Sequence, residues 1–212
     1  MNLQQLHIKK IVKNRKITSV THFTRIENLK SILRYGIMSR DKIQFLYPEY
    51  IYNDASRLDK NLSHTSCSIS FPNADLFYKW RQMYKDSNWA VLILHPKILW
   101  EKECLFYPTN AASSVFSAYD VNDFKGSQAL ENMFTYHADL REHYLEDRDP
   151  TDLQAEVMIP GRIDLDMYLR GCILMDESLA AEYQQTYKQF KFFYRREKSK
   201  IFTTRKAFRF GY

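Results

Sequence analysis

Apolar positions change period several times along this chain, and each change predicts an element. Ile17 to Phe23 reads as a short strand, and Thr24-Arg25-Ile26-Glu27 behind it has the form of a capping box. Ile26, Leu29, Ile32 and Leu33 then share one helical face, with Gly36 as the stop. Ser66 to Phe71 predicts a second strand, closed by Pro72-Asn73, and Leu76, Phe77, Trp80 and Met83 predict a helix over Leu76 to Tyr84. Trp89 to Leu94 is a continuous apolar run ahead of His95-Pro96, the pattern of a buried strand. Glu103 to Phe106, Ala155 to Ile159 and Gly171 to Met175 read as further strands. Gln128 to Tyr144 reads as a helix, and Asp176 as the cap of a helix through Tyr183. Polar, aperiodic stretches at Asp41 to Asn61, Pro108 to Asn122 and Asp147 to Asp152 read as loops. The class is α+β, with short strands broken by loops rather than the regular alternation of a doubly wound sheet.

Composition narrows the function. The 212 residues, 45% hydrophobic and 26% charged, suit one sizeable soluble core. Only 5 glycines occur, and neither GxGxxG nor GxxxxGK[ST] is present, so a Rossmann site and a P-loop are both unsupported. Cys67, Cys104 and Cys172 are scattered and odd in number, which fits a reducing, cytoplasmic setting. With no CxxC and no His pair at helical metal spacing, no metal is expected. Met1 to Lys16 is polar and basic, without a signal-peptide core, and no apolar run reaches a membrane span, so no membrane partner is expected. The formal charge of +6 fits either an ordinary basic protein or one with a polyanionic partner. From Lys188 onward Lys191, Arg195, Arg196, Lys198, Lys200, Arg205, Lys206 and Arg209 interleave with aromatics. That segment is either an electrostatic footprint for nucleic acid or a closing element with a basic solvated face.

Three places carry candidate chemistry, each with a plainer alternative. His22-Phe23-Thr24 lies at a strand-to-helix junction, where backbone N–H groups suit an amide or a ribose hydroxyl. Alternatively Thr24 caps the helix and His22 is a satisfied core residue. Arg57, within Asn53 to Asp59, has the planar fork that grips a diphosphate, or it pairs with Asp54 or Asp59 at the surface. Glu156 heads an apolar strand two residues after Gln154, and a carboxylate entering a core is costly unless partnered. The alternative is an edge carboxylate in water. The three types suit one reaction. Breaking the bond between nicotinamide and ribose builds positive charge on the sugar, as in glycoside cleavage. A carboxylate stabilises that charge and takes a proton from the acceptor, while an Arg fixes the diphosphate.

His22-Phe23-Thr24 with Asn28-Leu29, Ile32-Leu33 and Gly36 resembles the N-terminal motif of the DarT DNA ADP-ribosyltransferases. Arg57-Leu58-Asp59 with Ser68 to Asn73 is similar to the family's next block, Cys104 with Tyr107 to Ser113 to a third, and Thr151 to Val157 to the catalytic block. The resemblance runs from about His22 to Met175. It implies one ADP-ribosyltransferase domain over residues 1–212, with a central split, mixed or antiparallel sheet flanked by helices. NAD would be the co-substrate, with no metal, and a base of single-stranded DNA the acceptor. The resemblance also implies a toxin–antitoxin pair, with a DarG-type macrodomain (ADP-ribosylglycohydrolase) as antitoxin. Glu156 and Arg57 would be catalytic, His22, Phe23, Thr24, Ser31, Ser39 and Arg57 would bind NAD, and Arg148 and Gln154 would face the DNA from the loop before Glu156. Ser31 stands where some members carry Gly. Arg-Leu-Asp replaces a run of Arg, which leaves the modified base open between thymine and guanine; Arg57-Leu58-Asp59 and Asn110-Ala111-Ala112-Ser113 resemble the guanine-modifying branch more.

Other classes stay open on the residues alone. They are an ADP-ribosyltransferase acting on protein or RNA, a non-enzymatic nucleic-acid-binding domain, and a nuclease using acids such as Asp164 and Asp166.

Overall fold

The computed structural model describes residues 1–46, 50–51, 62–196, 199 and 201–202. Helix α1 (Leu3–Asn14) is followed by strand β1 (Val20–Arg25), a 3-10 turn (Ile26–Asn28), α2 (Leu29–Tyr35) and α3 (Arg40–Leu46). Then come β2 (His64–Ile69), α4 (Ala74–Met83), β3 (Trp89–Leu94), α5 (Ile98–Glu101) and β4 (Leu105–Tyr107). The chain continues through α6 (Gly126–Thr135), β5 (Glu156–Pro160), α7 (Leu165–Tyr168), β6 (Leu169–Leu174), α8 (Glu177–Thr186) and β7 (Phe192–Tyr194). Among the described residues the strands form one seven-stranded sheet in the order β4-β5-β2-β1-β3-β6-β7. Every pairing is antiparallel except β6 with β7.

The sheet has a seam. β1 pairs with β3 at every position from Val20↔Leu94 to Arg25↔Trp89. On its other side β1 meets β2 only at Val20↔Ile69 and Thr21↔Ser68. Past Thr21 the β2-facing edge of β1 has no strand partner among the described residues. Such an edge presents backbone donors and acceptors that need partners, and a bound amide can supply them.

Burial explains the better-formed flank. Ala90, Val91, Leu92 and Leu94 of β3 have no exposed surface, as the unbroken apolar run requires. One face of the sheet packs on α1, α2, α6 and α8 through Val12, Leu29, Ile32, Leu92, Leu130 and Ala180. The other holds a smaller aromatic cluster of Phe77, Trp80, Trp89 and Phe202, with Phe23 against it. The C-terminal aromatics Phe190, Phe192 and Phe202 are therefore core rather than a stacking platform, and Phe192 sits in a closing strand. Lys198, Lys200, Arg205, Lys206 and Arg209 lie outside the described residues.

Three expectations are adjusted and one element is added. Thr24 does not cap: β1 runs on through Arg25, the 3-10 turn has no side-chain cap, and the Thr24 hydroxyl instead accepts from Asn28. Within the polar, basic Met1 to Lys16 segment, where no element is predicted, Leu3–Asn14 is a helix with Asn2 and Gln5 as a reciprocal capping box and Ile8 and Val12 buried. Part of the expected loop at Asp41 to Asn61 is α3. The helix foreseen to Tyr144 ends at Thr135, because His137 adopts a left-handed backbone at φ 49 and turns the chain. Gly36 does stop α2, at φ +83, with the Ile163 carbonyl only 2.5 Å from where a Cβ would stand.

Candidate active site

Glu156 is the first residue of β5 and is 5% exposed. Among the described residues, three donors converge on its carboxylate. The Ser66 hydroxyl and the Asn73 amide reach Oε1 at 3.1 and 3.5 Å, and the Ala111 backbone N–H reaches Oε2 at 3.0 Å. This is the treatment a buried carboxylate needs. Each donor is placed by a different element. Ser66 on β2 stands opposite Met158, two positions along β5 from Glu156, so both side chains leave the same face of the sheet. Asn73 is the N-cap of α4, its Oδ1 accepting from Leu76 N at 3.1 Å, which aims the amide back at Glu156. Ala111 follows β4, whose Tyr107 is the register partner of Glu156.

The seam lies beside this carboxylate. His22 Nδ1 is 2.9 Å from the Ser66 carbonyl, so that nitrogen carries the proton and donates across the gap. Ser66 thus touches His22 through its carbonyl and Glu156 through its hydroxyl. Thr24 is buried, and Asn28, whose amide donates to the Thr24 hydroxyl at 3.2 Å, also clamps Ile51 through both its N–H and its carbonyl. Phe23 faces the aromatic cluster, stacked on Phe77 at 4.5 Å between centroids. Its ring is partly buried against that cluster.

The remaining candidates are distributed. Ser31 lines a groove of about 690 Å³ with Asn28, Arg34, Tyr50, Asp166 and Phe190, and its hydroxyl donates to the Asn28 carbonyl at 2.8 Å. Asn28 is the link between this groove and β1. Ser39 is 1% exposed, and its hydroxyl has no partner among the described residues. Gln154 and Glu156 share Asn73, whose amide also meets the Gln154 carbonyl at 3.4 Å. Arg148 pairs with Glu146 at 2.8 Å at the rim of the same loop. Arg57 lies outside the described residues. Asn73 and Ala111 fall inside the second and third motif blocks, and Ser66 opens the second predicted strand. Their positions were readable, but their aim was not.

The thiols take no part. All three cysteines are free and buried. Burial pushes Cys104 up to about 12 and holds Cys67 well above its ordinary value, with Cys104 and then Glu156 adding to the effect at Cys67. Among the described residues no group of His, Cys, Asp or Glu could hold a metal ion, and no helix is long and apolar enough to cross a membrane.

Comparison with known proteins bears on this arrangement. A family model described as "ssDNA thymidine ADP-ribosyltransferase, DarT" matches residues 21–202. The chain belongs to the DarT family. Its fold is similar to that of Thermosipho africanus DarTG in complex with ADP-ribose, at 18% identity and a TM-score of 0.58. That match covers 83% of this chain and 49% of the Thermosipho chain, so this protein spans about half its length. Thermus sp. 2.9 DarT in complex with NAD+ matches at 13% identity and 0.56, over 86% of this chain and 97% of that one. The same Thermus protein in complex with ADP-ribosylated ssDNA matches at 14% and 0.56, over 86% and 96%. No curated protein matches by sequence. The seven-stranded sheet is thus similar in fold to those DarT structures, and this DarT-family protein carries its buried carboxylate beside the seam.

Proposed function

We propose that this DarT-family protein cleaves NAD and joins the ADP-ribose to a base of single-stranded DNA. The bond from nicotinamide to ribose C1′ breaks and nicotinamide leaves. A base nitrogen bonds to C1′, and its proton passes to Glu156. The observation that carries this reading is the buried Glu156 carboxylate, held by the Ser66 hydroxyl, the Asn73 amide and the Ala111 N–H beside the point where the β1–β2 ladder stops. An acid so held stabilises positive charge on the sugar and acts as a base, a role worth about 10²–10⁴ in rate. His22, Thr24 and the Phe23 backbone would hold the nicotinamide end. Ser31 and Ser39 would contact NAD further along, and Arg57 would grip the diphosphate as the second catalytic group. Arg148 and Gln154 would meet the DNA.

The acceptor base is thymine in the description of the family model. The guanine leaning rests on Arg57-Leu58-Asp59, outside the described residues, and on Asn110-Ala111-Ala112-Ser113. The name of the Thermosipho neighbour supports a role as the toxin of a pair whose DarG-type macrodomain partner removes the modification. Three buried free thiols fit a reducing, cytoplasmic setting.

Incubation with labelled NAD and separate single-stranded DNA, duplex DNA, RNA and protein tests the reading. Label should enter single-stranded DNA alone, and mass spectrometry of the nucleosides should separate a thymidine from a deoxyguanosine adduct. Label in protein or RNA would move the function to another ADP-ribosyltransferase class. No turnover of NAD would leave a nucleic-acid-binding domain.

A further inference from the structure

The segment between α6 and β5 carries an unusual set of contacts. Arg141 donates through Nη2 to the Glu146 carbonyl at 2.7 Å, and through Nη1 to the Asp149 carbonyl at 3.0 Å and the Thr151 hydroxyl at 3.2 Å. Two further side chains hold the carbonyls in between. Arg15 of the N-terminal segment reaches Asp147 O at 3.3 Å, and Ser70 reaches Arg148 O at 3.1 Å. Four successive carbonyls, from Glu146 to Asp149, are therefore each held by a side chain from outside the 146–149 turn. The Asp149 carboxylate closes the turn from within by accepting Glu146 N at 3.1 Å. Thr151 then fastens the loop to the end of α6, its amide to Met133 O at 2.9 Å and its hydroxyl to Phe134 O at 2.8 Å.

Loops ordinarily satisfy their carbonyls with water and stay mobile. This one is held by the protein's own side chains, and Arg141 supplies three of the bonds that hold it. All three acceptors are neutral oxygens, two carbonyls and a hydroxyl. The loop also leads directly to the catalytic carboxylate, since Asn73 bonds both the Gln154 carbonyl and Glu156.

We propose that Arg141 is the positioning residue of the acceptor loop. It sets the loop before DNA arrives and thereby decides whether the ribose cation meets a base or water. This rests on the proposed transfer to DNA. With the loop shaped in advance, the ordering cost of binding a strand is removed. With the loop slack, water supplies the oxygen to C1′, its proton passes to Glu156, and the product is free ADP-ribose.

The test measures base transfer and NAD hydrolysis together on one single-stranded oligonucleotide, with Arg141→Ala and Arg141→Lys. The ratio of transfer to hydrolysis should fall about 10²-fold in the Ala variant, the scale of a reacting group misplaced by about 1 Å. KM for the oligonucleotide should rise and KM for NAD should stay. The Lys variant keeps the charge but cannot hold three oxygens in one plane, so it should fall short of the wild-type ratio. Amide exchange should quicken at Glu146 to Thr151 in both variants and nowhere else. A wild-type ratio in the Lys variant overturns the inference, because charge alone would then suffice. Equal loss of transfer and hydrolysis, or exchange that quickens throughout the molecule, also overturns it, since Arg141 would then serve general stability. Failure of the wild-type protein to label DNA would instead overturn the transfer reading on which this rests.

Discussion

The two flanks of the sheet are built on opposite principles. On the β3–β6 side the strand interior is aliphatic, the register is long, and Ala90, Val91 and Leu92 have no exposed surface. On the β2–β5 side the register brings a carboxylate and a hydroxyl together, the N-cap of α4 adds an amide, and the ladder to β1 stops after two positions. One flank supplies stability, and the other spends part of it to keep a charge and an open strand edge together. Buried polar groups are tolerable only when fully partnered, which is why Glu156 draws donors from three separate elements.

The contrast can be broken most sharply at the carboxylate. Glu156→Gln should lower transfer by about 10²–10⁴-fold and leave the unfolding midpoint close to wild type; a steady-state labelling assay beside thermal melting reads both. A deletion in the aliphatic flank should do the reverse. Leu174→Ala, at a position 1% exposed, should cost about 2–5 kcal/mol of stability in denaturant titration, with activity per folded molecule kept. Ser66→Ala touches both flanks. It keeps the carbonyl that His22 uses but removes one charge-assisted donor to Glu156, a loss of roughly 1.5–3 kcal/mol, and it should be seen in kcat more than in KM for NAD. The smallest effect lies farthest from the seam. The Ser178 hydroxyl at 2.6 Å and the Leu179 amide at 2.9 Å hold the Asp176 carboxyl below its ordinary value. Its contribution is full above the usual carboxylate range and lost as pH falls through the lowered value. Asp176→Ala should cost about 1 kcal/mol at neutral pH, and the difference from wild type should vanish in melts at strongly acid pH.

Legibility in the sequence followed the same divide. Trp89 to Leu94 was bounded to the residue because an apolar run between turn signals leaves a buried strand few alternatives. Asp176 was recognisable as a cap and Gly36 as a stop, since both are local devices. Helix α1 was missed because its apolar positions are few among basic ones and its packing against α5 and α6 is tertiary, although Asn2 and Gln5 carried a capping signal. Thr24 was misread because a capping box and a continuing strand begin with the same letters, and pairing with β3 decided for the strand.

The motif blocks placed Glu156, His22 and Thr24 in one enzyme family, because residue type and order are properties of the chain. What the chain could not express was convergence. Ser66, Asn73 and Ala111 lie 90, 83 and 45 positions from Glu156 along the sequence, and Arg141 reads there as one more surface cation. Their aim depends on strand register and on how a helix cap and a loop are oriented, and those are fixed only when distant segments pack. Local pattern therefore determined the elements and the chemistry available, and tertiary contact alone decided which donors hold the carboxylate and which cation shapes the loop beside it.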